Sequence, residues 1–524
     1  MVEMKFNKIL IITAILFLMS ATSYSQGKAT AVGNSLPQMF EASDRCIACH
    51  NGLISPTGED VSIGSSWRSS MMAQAARDPY WQASVRRETI AHASSKAAIE
   101  NECSACHMPM TRFRAKASGM MESVFANLPI NMAASRHQLL AADGVSCTMC
   151  HQIEDKNLGD KASFTAGFSV DTRTLPEDRS IFGPFEVDAG HQKIMRSSSA
   201  FIPTQALHIQ SSEVCATCHT LFTHSLGPGG EVIGELPEQV PYLEWKHSSY
   251  RENKSCQDCH MPVVAEEMPI TGVMGQPRDH FSRHIFRGGN FFMVNMLNRH
   301  RGELGVTAQS QEMDATVRRT VDHLETGAAR VAIENAEMTG NTLKAEVSVR
   351  NLAGHKLPTA YPSRRVWIHF TVSDRNGNLV FESGAFEQDG SIKGNDNDLD
   401  ATRFEPHYME VNSPEEVQIY EVIMAAPDNS VTTGLLKAVR YVKDNRILPA
   451  GFDKSTADHD IAVNGAAEND DDFQAAGDRI TYRVNVEGAD GPFNVRAELY
   501  YQSIGYRWAQ NLQEENAAEI DRFV

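Results

Sequence analysis

Every cysteine in this chain follows one pattern. The ten fall into five pairs, Cys46/Cys49, Cys103/Cys106, Cys147/Cys150, Cys215/Cys218 and Cys256/Cys259. Each pair runs straight into a histidine: His50, His107, His151, His219 and His260. No cysteine is left for a disulfide framework. With ten Cys and nineteen His in 524 residues, one Cys-x-x-Cys-His string arises by chance in roughly one such chain per hundred. Five of them demand a shared chemistry.

Three chemistries use paired cysteines. A zinc site needs its second ligand pair at a set short spacing and tends to mix Cys and His freely, whereas here the intervals run from about forty to about seventy residues and the adjacent His recurs each time. A redox dithiol needs no His at that position. The remaining chemistry is covalent c-type haem, in which two thiols add across the vinyl groups on one porphyrin edge and the following His reaches the iron. On a short helical turn, residues i, i+3 and i+4 share one side, so the pentad can grip an edge and an axial position together. Five haem c groups are expected, with the ten cysteines as anchors and the five motif histidines as proximal ligands.

The N-terminus agrees with that chemistry. Lys5 and Lys8 precede an apolar run from Ile9 to Met19, followed by small residues around Ser23 and Ser25, the pattern of a secretory signal. The run is shorter than the roughly 20 residues of a spanning helix, and no later stretch competes. An exported chain of the periplasm or outer cell surface is expected, without a membrane span once processed. A net charge of −18 argues against nucleic acid, whose phosphates call for basic faces. A cationic redox partner protein would be steered in by such a field, and solubility alone accounts for the charge equally well.

From about residue 40 to 300, short helical patterns alternate with Gly/Pro-rich loops. In "SQEMDATVRRTVDHLETG", Met313, Val317, Val321 and Leu324 form one helical stripe, with Ser310 as N-cap and Gly327 as C-terminal stop. The period then changes to two in segments such as "RRVWIHFTVSDRNGNLVFESG" and "DRITYRVNVEG", punctuated by Asn-Gly and Gly-Asn turns. The expected fold is α+β multidomain: a signal peptide over 1–25, a loop-rich, mostly helical pentahaem domain over 26–305, a connector helix over 306–327, and an antiparallel, Ig-like β-sandwich over 328–524. The acidic run "AENDDDF" over 467–473 is a weak calcium candidate. Its spacing fits no calcium-loop template, and it reads better as a solvated loop.

With the five motifs and this tail together, the chain resembles the secreted multihaem c-type cytochromes related to cytochrome c554. The likeness is carried by "WRSSMMAQAARDPYW", "CHMPM", "DGVSCTMCHQI", "SEVCATCHTLFT", "PYLEWKHSSY", "CQDCHMP", "HIFRGGN", "GHKLPTAYPSRRVW" and "VKDNRILPAGF". It covers nearly all of the chain after the signal segment. It implies electron transfer between closely packed haems.

The position opposite each proximal His separates carrier from catalyst, since a second His or a Met closes the iron and an open position admits a substrate. Fourteen histidines lie outside the motifs. The resemblance implies distal roles for His137 and His208, each shortly upstream of a motif. It also places Met72 where relatives carry a distal His, in the frame Trp67, Ser70, Met72, Ala73. His284 in "SRHIFRGGN" and His355 in "NLAGHKLPTAYP" sit among Gly and Pro that can hold a rigid approach to a flat cofactor. His92, His191, His247 and His407 are reserves. The leading expectation is an electron carrier with five haems. The alternatives are a multihaem oxidoreductase acting on a small nitrogen or sulfur compound, disfavoured because no motif ends in the Lys of pentahaem nitrite reductases, and a subunit of a cytochrome filament.

Overall fold

The computed structural model describes residues 36–524. The expected signal peptide lies outside the described residues. Among the described residues, no helix is long and apolar enough to cross a membrane.

Short α-helices carry the cysteine motifs, and between the first and second motifs lies a longer helix, Pro79–Ala91. Its start is set locally: the Asp78 carboxylate accepts the Tyr80 and Trp81 N–H groups, and Pro79 occupies the first position, where no intrahelical donor is needed. This region is less purely helical than expected. Leu221–Leu226 and Val232–Gln239 form an antiparallel hairpin around a Gly-Pro-Gly-Gly turn, and Arg179–Gly183 pairs in parallel with Phe201–Gln205.

The connector helix spans Ser310–His323 and runs into a π-turn over Leu324–Ala328. Its N-cap is Gln309, one residue before the Ser310 expected. The Glu312 carboxylate reaches back to accept the Gln309 N–H at 2.9 Å, and the Glu312 N–H donates to the Gln309 carbonyl at 3.1 Å. Arg68 binds Glu312, tying this helix to Ile63–Arg68 beside the first motif.

After the helix the chain forms strands, and the fold as a whole mixes helices with several sheets. One sheet runs in the order Glu410–Val411, Gly477–Asn485, Thr342–Asn351, Ala329–Thr339. Its first pair is parallel and the rest are antiparallel. In a second sheet, Arg365–Ser373 is paired by Asn494–Gln502 along its full length, and by Leu379–Ser383 and Ile419–Tyr420 over shorter stretches. Residues 342–349 alternate buried and half-buried, as a strand covered on one face must. The sheets meet across a common core in which Phe370 stacks on Tyr482 at 3.9 Å. Fully burying each Val, Ile or Phe of that core contributes about 1.5–3 kcal/mol.

The core does not stop at the sheets. Phe164, Phe222 and Tyr242, from between the third and fifth motifs, pack into the same cluster as Val347, Ile368 and Tyr482. At its end the chain leaves the strands: the helix Ala518–Phe523 lies on Pro79–Ala91, where Arg86 binds Glu519 through two nitrogens at 2.8 and 2.9 Å. Glycine is required where Asp143-Gly144-Val145 leads into the third motif. Gly144 has φ +61°, and a Cβ there would stand 2.7 Å from the Met72 carbonyl oxygen.

Candidate functional site

All five motif histidines and every motif cysteine except Cys49 line one continuous cavity of about 1290 Å³. The motifs reach it from short helices. In the fifth, Cys256–His260 is a single helix opened by a reciprocal cap, with Asp258 N–H donating to the Ser255 hydroxyl and Ser255 N–H to the Asp258 carboxylate. One turn then places both cysteines and the histidine on one side.

Backbone carbonyls orient the imidazoles. Nδ1 of His50 bonds the Ile270 oxygen at 2.7 Å, that of His107 the Ala75 oxygen at 2.8 Å, that of His151 the Phe182 oxygen at 2.6 Å, and that of His260 the Arg287 oxygen at 2.5 Å. A carbonyl accepts, so each Nδ1 carries the proton and each Nε2 presents a lone pair, the tautomer a metal ligand needs. Burial also keeps these rings neutral, pushing His107 and His260 down to about 4.

Two of the five have a second imidazole opposite. His284 faces His151 with ring centroids 6.2 Å apart and planes 17° from parallel. His355 faces His260 at the same 6.2 Å and 14°. Both partners also have Nδ1 on a backbone carbonyl, of Ser282 and Lys356 respectively. A metal–imidazole bond is about 2 Å and a ring nitrogen stands about 1 Å from its centroid, so two imidazoles on one ion are spaced by about 6 Å. The residues present therefore fit an iron held between two histidines.

The thiols also come together across motifs, all ten being free of disulfides. Cys46 and Cys147, Cys218 and Cys106, and Cys256 and Cys215 are neighbours whose thiols shift each other in opposite directions, the first of each pair downward and the second upward. Cys150 is close enough to Cys218 to feel its charge. The first motif thus abuts the third, the third the fourth, and the fourth both the second and the fifth.

Other candidates are placed differently. Met72 lines the cavity beside Trp67 and Met71. The structure does not bring His137, His208, His92, His191, His247 or His407 into that lining. His137 is half-exposed and bonds Glu122 through Nε2 at 3.0 Å, and His208 bonds the Ile153 oxygen through Nε2 at 2.8 Å. His92 is buried beside Glu88, 3.9 Å away. His191 is held by Asp188 and by the Met274 oxygen, and His247 by the Asp453 oxygen. His407 lies among the sheets. Its Nδ1 accepts from the Gln418 and Asn445 amides and its Nε2 donates to Asp470 at 3.0 Å. Asp470 comes from the acidic run considered for calcium. It turns inward to His407, while Asp471 and Asp472 face solvent.

Three cavity histidines were not anticipated from the sequence: His224, His280 and His323. A signal for the last was present, since Thr316, Thr320 and His323 share one face of the connector helix and all three line the cavity. Trp81 was missed as well. Its indole lies parallel to the His107 ring, within 1°, with centroids 4.3 Å apart.

No protein-family model and no curated protein matches this sequence. Among solved structures, the chain is similar in fold to a penta-heme cytochrome c552 from Thermochromatium tepidum, with a TM-score of 0.50 and 15% identity over 92% of this chain and 95% of that one.

Proposed function

We propose that this chain is an exported electron carrier that holds five haem c groups and relays single electrons among them. The observation that carries the reading is the single continuous cavity lined by all five motif histidines and by every motif cysteine except Cys49, which joins five attachment points into one connected site instead of five separate ones. Bound haem iron supplies one-electron chemistry by alternating between ferric and ferrous states. The cysteines would anchor each porphyrin edge, and the five motif histidines would take one axial position. His284 and His355 would close the opposite positions at His151 and His260, and Met72 is the proposed thioether ligand opposite His50. Residues 1–25 would direct export, and the acidic surface would steer redox partners of opposite charge. The two facing sheets would act as a sandwich-like cap that presents His355 to the fifth haem.

A second reading, reduction or oxidation of a small nitrogen or sulfur compound, is favoured by one feature. Near Cys103 the cavity is lined by Glu88, Glu102 and Glu238, and burial pushes Glu238 up to about 7, within reach of proton exchange. Electron paramagnetic resonance and reduced-minus-oxidised absorbance on the five-haem protein separate the two. The carrier reading expects low-spin iron that ignores nitrite, hydroxylamine and cyanide. A high-spin fraction that shifts on adding them overturns it.

A further inference from the structure

The loop carrying His355 is fixed by charge as well as by packing. Glu244, in the helix Pro241–Lys246 between the fourth and fifth motifs, reaches that loop from the other side of the chain. Its Oε2 accepts the Lys356 N–H at 3.1 Å and the Thr359 hydroxyl at 2.6 Å. Its Oε1 stands 2.9 Å from an Arg446 nitrogen, in a pair whose side chains are 0% and 7% exposed. Arg446 also grips Asp444 with two nitrogens at 2.9 and 2.7 Å, and Lys356 Nζ reaches the same carboxylate at 2.8 Å. Two cations thus balance two anions in the interior.

Stability is a poor explanation for such a cluster, because desolvation cancels most of the Coulombic gain and an apolar replacement of similar volume is often neutral or better. Its position is more telling. One oxygen of Glu244 accepts the N–H of the residue next to His355, and the other faces the Arg446 guanidinium, so one negative and one positive charge stand together behind that histidine.

We propose that Glu244 positions His355 and that the Glu244–Arg446 pair sets the reduction potential of the fifth haem by balancing charge beside its axial imidazole. This rests on the reading of His355 as the ligand opposite His260. Ferric iron carries one more positive charge than ferrous. Neutralising Glu244 therefore leaves a guanidinium that disfavours the ferric form, while neutralising Arg446 leaves a carboxylate that favours it.

The test is a spectroelectrochemical titration of the full-length five-haem protein with Glu244→Gln, Arg446→Gln and the double variant. The amide keeps an oxygen for Lys356 N–H and the Thr359 hydroxyl, so the charge changes more than the loop. One of the five components should move up in Glu244→Gln, the same component should move down in Arg446→Gln, and the double variant should return toward the original value. Singles that move together, no movement, or movement of all five overturns the proposal. If Arg446→Gln fails to load five haems, Arg446→Lys replaces it. Charge is then kept, the component should stay in place, and a shift as large as that of Glu244→Gln overturns the proposal. His355→Ala tests the underlying reading separately: if no haem becomes high-spin, His355 is not a ligand, whatever the charge variants do.

Discussion

His355, in a loop between strands, stands opposite His260 of the last cysteine motif with centroids 6.2 Å apart and rings 14° from parallel. His284 stands opposite His151 in the same way. On the proposed assignment, replacing His284 or His355 by alanine should open one axial position while leaving the proposed thioether anchors intact. The expected outcome is one haem in five converted from low to high spin in each single variant, and two in the double. Five haems that all stay low-spin in His284→Ala would remove His284 from the ligand set.

Trp81 lies flat on His107 at 4.3 Å, and the Ala75 carbonyl holds the same ring through Nδ1. The indole should therefore fix the plane of this imidazole about its axial direction. Trp81→Ala removes a nearly buried ring, for which a cost of about 3–5 kcal/mol is usual. Trp81→Phe keeps an aromatic face and should cost less. The sharper readout is spectroscopic: the g-values of one haem should move in Trp81→Ala and recover in Trp81→Phe. A stability loss with unchanged g-values would reduce Trp81 to a packing residue.

Local patterns in the chain were legible because their cause is local. The Cys-x-x-Cys-His pentads declare their geometry in one helical turn, and the alternation in Thr342–Asn351 follows from covering one face of a strand. Ligand pairing is not local. His137 and His208 sit near motifs in sequence, yet Glu122 and the Ile153 carbonyl occupy their Nε2 atoms. His284 and His355 come from far along the chain, and only the Gly and Pro around them hinted at rigid loops. The hairpin Leu221–Gln239 was hidden because its neighbours are helical motifs and its strands carry bulges. His323 was masked by its own helix, whose apolar stripe reads as a connector while Thr316 and Thr320 mark the other, cavity-facing side.

The buried carboxylate of Asp444 should control acid stability. Burial pushes its pKa up, but Arg446 and Lys356 outweigh that and hold it at about 2. Its unfolded value is about 3.9. The unfolded chain therefore binds more protons between these values, so the contribution is complete above about pH 4–5 and is lost as pH falls through 2. It amounts to about 2–3 kcal/mol. Asp444→Asn should abolish that part of the acid limb, and by leaving Arg446 and Lys356 without their shared anion it should cost about 3–5 kcal/mol at neutral pH. Denaturant titrations of both proteins at pH 7 and pH 3 measure this. A difference in stability between them that is the same at the two values would exclude the role.

Gly144 links the third motif to the segment that carries Met72. Its φ of +61° suits glycine, and a Cβ there would lie 2.7 Å from the Met72 oxygen and 2.8 Å from the Ala73 oxygen. Those two contacts are backbone, so nothing flexible can move aside. The adjacent Val145 N–H also donates to the Met72 oxygen at 3.0 Å, so relief of the clash must displace the Met72 segment. Gly144→Ala should therefore cost more than the about 1 kcal/mol typical of a strained backbone position. If Met72 is the thioether ligand opposite His50, the same variant should lower the highest potential of the five, because a thioether raises a haem potential and a displaced one no longer does. Met72→His should lower that potential while leaving stability nearly unchanged. A highest potential that stays in place in both variants would exclude Met72 as a ligand, and a Gly144→Ala protein as stable as the original would exclude the clash.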